Sequence, residues 1–153
     1  MNRTAAALLA GVAAGLATTA AMVAGRRSGV LGRTLDRDAV DWIDRTTGSR
    51  AVIGEAGTSA VEFVNHLGAS AAFGLGYEAL RRRLPGVPPA ALGAAWGIGL
   101  YLVNIAGIAP LLGVTEGEVA AGPRRAGERL GLHVLQSVVT ALVAERLSGR
   151  GRR

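Results

Sequence analysis

The sequence predicts an all-α, polytopic membrane protein: a bundle of four transmembrane helices with a short interfacial helix in the first loop. Four stretches poor in charge carry this reading, near residues 4–25, 58–80, 89–112 and 126–147, with arginines gathered at their ends. A bilayer core of about 30 Å takes roughly 20 helical residues, a length that these stretches reach or approach. Composition agrees. Half of the 153 residues are hydrophobic, 18% are charged and the mean hydropathy is +0.33, more apolar surface than one soluble domain of this size hides.

The same numbers narrow the function classes. Four spans leave room for one domain over residues 1–153 and one modest loop, not for a separate catalytic domain. All 17 basic residues are arginine, and the wealth of Ala and Gly is the bias of a GC-rich bacterial genome. A pI near 11.3 would suit nucleic acid, but the arginines sit beside apolar spans. Topology and anionic lipid headgroups explain that placement, so the expected partner is the lipid bilayer and not nucleic acid. With no cysteine, disulfides and thiolate chemistry are excluded.

In the first span, the basic start Asn2-Arg3 and small residues at Ala20, Ala21 and Ala24 would suit a cleavable signal peptide. The length of the apolar run, and Arg26-Arg27 directly after it, read better as a retained helix. Gly11 and Gly15 share one face, where a neighbouring helix can come close. The polar loop 26–57 interleaves arginines with Asp36, Asp38, Asp41 and Asp44. Within it, Asp38 to Arg45 reads either as a short interfacial helix anchored by Trp42 or as a solvated loop.

The second span carries Glu62, Asn65, His66, Ala69, Ser70, Phe73 and Tyr77 on one helical face. Lipid cannot satisfy those polar groups, so the stripe should turn inward. A short turn through Pro88-Pro89 leads into the third span, where Gly93 and Gly97 repeat the close-approach spacing, followed by Tyr101 and Asn104. Pro110 either kinks the last turn of that span or ends it. The fourth span has the shortest uncharged core, Leu130 to Ala144, and is the weakest crossing by hydropathy. Arg129, His133, Gln136, Ser137 and Thr140 give it one polar face. A basic tail, 148–153, closes the chain.

Three stretches taken together resemble a family. They are Asn65-His-Leu-Gly-Ala-Ser-Ala-Ala-Phe-Gly-Leu-Gly-Tyr77, the exit Ile108-Ala-Pro-Leu-Leu-Gly-Val-Thr115, and Gly127-Glu-Arg-Leu-Gly-Leu-His133. The likeness, over roughly Val61 to Arg146, is to the YagU-like family of small bacterial inner-membrane proteins, whose molecular function is unassigned. It implies counterparts for Gly76-Tyr77, for the turn Pro110-Leu111-Leu112-Gly113, and more loosely for Glu128 and His133.

The resulting candidate site is a polar intramembrane cluster of Glu62, Asn65, His66, Asn104, His133 and Gln136. The bland alternative is that these groups only bond helix to helix. No nucleophile elbow, phosphate loop or metalloprotease pattern occurs, so neither enzyme, cofactor nor metal is expected. Two functions remain. One is a structural or accessory membrane protein, a small bundle or homo-oligomer packed through Gly11, Gly15, Gly93 and Gly97. The other is a proton or small-solute conduit, or transporter subunit, lined by the polar cluster. The expected location is the bacterial cytoplasmic (inner) membrane, multi-pass. Both termini and the Arg81 to Arg83 turn should then face the cytoplasm.

Overall fold

A computed structural model describes residues 1–149, and among them every regular element is helical. The elements are α1 (Arg3–Arg27), α2 (Leu35–Thr47), α3 (Ser49–Arg83), α4 (Pro89–Leu111) and α5 (Glu118–Ser148). Of the expected tail, Ser148 ends α5 and Gly149 caps it, while 150–153 lie outside the described residues.

The boundaries have local causes. Asn2 accepts a hydrogen bond from the Ala5 amide at 2.8 Å and starts α1. Gly48, at φ 68°, ends α2 in the left-handed conformation that glycine adopts without penalty. Proline opens α4 where an amide would have no helical acceptor. Between Tyr101 and Ile108, α4 widens to π-helical turns, and the Ala109 amide bonds five residues back to Asn104 O. Pro110 follows directly. A wider turn moves the preceding carbonyl away from the proline ring, so Pro110 fits in the last turn and the helix ends one residue later, at Leu111.

Two expected loops are shorter than the sequence suggests. Residues 49–57 form the first turns of α3, offset by Gly54 at φ 68°, and α5 begins at Glu118 with an offset at Gly122 just before Pro123. In both cases a glycine in a conformation closed to other residues lets helical segments meet at an angle.

The four long helices run up, down, up, down. Helix α1 packs between α3 and α5, and α5 packs against α4, while α3 and α4 meet only lightly. Glycine makes the close seams. A Cβ on Gly11 would stand 2.2 Å from Ser70 O and one on Gly74 the same distance from Ala7 O, so α1 and α3 touch backbone to backbone. Gly93 and Gly97 do the same against Ser137 O and His133 O of α5. All four glycines of the sequence pattern are thus occupied within one chain, Gly15 lying against Ser70. Trp96 holds α3 and α4 together: its ring covers Gly76 and its Nε1–H donates to Phe73 O at 3.2 Å.

The interior is small and polar while the outside is aliphatic. Ala6, Ala7, Ala10, Ala141 and Ala144 are buried with Ser70, Ser137 and Thr140, whereas Leu9, Leu16, Val64, Leu102 and Leu142 are exposed. Water would favour the reverse arrangement. Three helices, α1, α4 and α5, are long and apolar enough to cross a membrane, a set compatible with a multi-pass membrane protein. The helix with the shortest uncharged core, α5, is among them. Helix α3 is not, because its polar residues Glu62, Asn65, His66 and Glu78 lower its mean hydropathy.

Candidate functional site

The antiparallel order puts the second half of α1, the first half of α3, the end of α4 and the start of α5 at one end of the bundle. There the helices stand apart around a cavity of about 280 Å³, near the lower limit of small-molecule sites. Asn65, His66, Asn104, His133 and Gln136 all line it. Glu62 does not. It lies 3.6 Å from Arg37 and borders a separate crevice with Arg26 and Ser59, because its position on α3 is one turn beyond the cavity wall.

The roof is formed by residues the sequence left in the loop. Leu31, Leu35, Asp36 and Ala39, from the connection to α2 and its first turns, fold back over the cavity. Two carboxylates pin this cap to two different helices. Asp36 reaches His66 Nδ1 on α3 at 3.0 Å, and Asp38 meets Arg129 on α5 at 3.3 Å. No sequence spacing signals either pair, since their partners are far along the chain. The acids of the loop were visible, but not what they face.

His66 is held from both sides. Its Nε2 lies 3.0 Å from Gly15 O on α1, so both ring nitrogens face acceptors and the imidazolium form would donate to each. His133 turns differently. Its Nδ1–H donates to Arg129 O at 2.8 Å, and its ring meets Tyr101 edge-on at 6.2 Å. The two histidines share a cavity without touching a common partner. Gln136 donates to Ser70 Oγ at 2.9 Å, linking α5 to α3 across the cavity floor. The side-chain carboxamides of Asn65 and Asn104 make no hydrogen bond to the described residues, although both border the cavity.

At the rim, charge is largely neutralised. Arg129, 5% exposed, donates to Glu118 at 2.6 Å, and Glu118 also accepts from Tyr101 OH at 2.6 Å. Arg125 pairs with Glu116, Arg33 with Asp38 and Asp41, and Glu128 with Arg124. Beyond the rim, a hydrogen bond from Arg50, joined by Arg33, holds the Asp41 carboxyl below the usual carboxylate range. Two buried polar atoms of the cavity lining lack a partner, Thr34 Oγ1 and Arg129 Nε. Among the described residues, no three His, Asp or Glu side chains converge as metal ligands would.

Away from the cavity the bundle is filled. Tyr77, fully buried, packs with Ala10, Leu92, Ala141 and Ala144. Beneath them Arg81 donates to Glu145 at 2.7 Å and to the carbonyls of Leu84, Pro85 and Val87. Polar groups therefore occupy both ends of the bundle interior, but open space inside it occurs under α2.

No protein-family model, curated protein or solved structure matches this chain.

Proposed function

We propose that the chain is a multi-pass protein of the bacterial cytoplasmic membrane that binds a small molecule with a polar group in a pocket open at one end of a four-span bundle. The cavity carries the reading: five candidate side chains from three helices meet on it, and two of them, Asn65 and Asn104, keep unused hydrogen-bonding capacity. All four long helices cross. For α3 the support is its exposed Val61, Val64 and Leu75, set opposite the buried His66 and Ser70. Helix α2 lies at the interface as the pocket's cap. The likeness to the YagU-like family belongs to this proposal, as does the orientation with both termini cytoplasmic, which opens the pocket to the outer side.

The accessory and conduit readings are both narrowed. Glycine seams buried inside one chain are unavailable for self-association, so a homo-oligomer would use another surface. A conduit has the polar lining in its favour, but the half filled by Tyr77 and the alanines leaves it no second mouth.

The lack of native cysteine makes the test clean. A thiol placed by Leu132→Cys, on the cavity wall, should react with a membrane-impermeant thiol reagent in intact cells. Leu84→Cys, on the exposed turn, should react only after the membrane is opened. Reaction at 132 only after opening would reverse the orientation, and no reaction from either side would end the pocket reading.

A further inference from the structure

The light contact between α3 and α4 leaves a groove of about 420 Å³ down the outside of the bundle, bordered by Gly76, Trp96, Gly99 and Val103. Phe73 and Asn104 belong to both groove and cavity, so the two spaces meet at those side chains. Except for Asn104 the groove is apolar, and a Cβ added to Gly99 would meet nothing within 4 Å. An apolar slot beside a polar pocket, with only the Phe73 and Asn104 side chains shared between them, matches a molecule with one hydrocarbon chain and one polar head.

The head's chemistry follows from which groups are still unpaired. Arg33, Arg125, Arg129, Asp36 and Glu128 at the cavity each already have an opposite charge or His66 within hydrogen-bond distance. An ion would have to compete with these pairs, whereas an uncharged polar group need not. The unused capacity lies in the carboxamides of Asn65 and Asn104, in the Gln136 carboxamide beyond its bond to Ser70, and in the buried Thr34 hydroxyl and Arg129 Nε–H. Carboxamides offer a donor and an acceptor together, which suits hydroxyl or amide groups. The π-helical stretch of α4 lies at this junction, and such widened turns are frequent at functional sites.

We infer that the pocket takes an uncharged, single-chain amphiphile, its hydroxyl- or amide-bearing head among Asn65, Asn104 and Gln136 and its chain in the α3/α4 groove. The inference rests on the pocket reading above and adds the ligand class and a lateral way in. Bilayer lipid and dissolved amphiphile share this chemistry and are separated by how the probe is supplied.

The experiment uses the full chain carrying Leu132→Cys in vesicles. Monooleoylglycerol in the bilayer, or monohexanoylglycerol added in water, should slow thiol labelling at concentrations at least about ten-fold below glycerol. Whichever protects names the source. Gly99→Leu, whose Cβ meets nothing within 4 Å and whose longer side chain occupies groove space, should weaken protection by the monoacylglycerols about ten-fold or more and leave glycerol unchanged. Gly68→Leu, at another open helical position, should change nothing. Asn104→Leu should weaken protection by all three. Protection by glycerol equal to that of the monoacylglycerols, an inert Gly99→Leu, or equal protection by oleate would overturn the amphiphile inference while the pocket stands. Absence of labelling at the introduced thiol would remove both.

Discussion

Gly74 and Gly99 are both helical glycines in an Ala/Gly-rich chain, yet they do opposite things. A methyl group at Gly74 would fall 2.2 Å from Ala7 O, whereas at Gly99 it would enter open space. Gly74→Ala must therefore push α1 from α3, at a cost of about 1–3 kcal/mol. Gly99→Ala should be neutral or slightly stabilising, since alanine favours helix. Reversible unfolding of both variants in detergent measures the contrast, and equal stabilities would refute the seam. Arg81 supplies a second residue-scale test. Glu145→Leu strands a buried guanidinium and should cost about 3–5 kcal/mol, while the double change Arg81→Met with Glu145→Leu should recover most of it. A double variant as unstable as the single one would mean that the carbonyl bonds of Arg81, not its ion pair, dominate.

At the scale of elements, α2 is the part held most by charge. Asp41 has its carboxyl depressed by Arg50 and Arg33, so the folded form binds its proton less readily than the unfolded form. Its contribution is complete above the usual carboxylate range and is lost as pH falls through the depressed folded value. Hydrogen exchange should accordingly find α2 amides protected near neutrality and exposed first on acidification below about pH 4, before those of α1 or α5. Simultaneous exposure of all helices would argue against a separately held cap. Asp36→Asn removes the charge that faces His66 and should raise α2 exchange near neutral pH.

The long apolar helices and the polar face of α3 were legible in the sequence because period and composition are local properties. The glycine spacings pointed to close approach, and the structure supplies each partner. A short helix over Asp38 to Arg45 was one of the two readings the loop allowed, but its role as a cap was not legible: nothing in the sequence brings His66 and Arg129 opposite Asp36 and Asp38. Nor was the early start of α3, since Gly48 and Gly54 so near one another read as loop and not as a helix with an offset turn.

Across the whole molecule, the α1/α3 and α4/α5 seams are backbone-close, whereas the α3/α4 seam rests on Trp96. Trp96→Ala should lower stability by about 3–5 kcal/mol if the indole is the sole spacer there. It should also increase thiol reaction at a cysteine replacing Ala72, a residue that borders the same groove. Unchanged reactivity at 72 would show that α3 and α4 are held apart by the rest of the bundle.

The Arg81 clamp also bears on the order of assembly during synthesis. Arg81 is translated 64 residues before Glu145, and meanwhile the α3–α4 turn has a guanidinium with only carbonyl oxygens around it. The neutralising carboxylate arrives with the last turns of the final helix. A nascent chain cut short of Glu145 should therefore keep Arg81 at the aqueous edge and leave the α3–α4 hairpin loosely seated, so that completion of α5 is the event that draws the turn into the bundle and closes the end opposite α2.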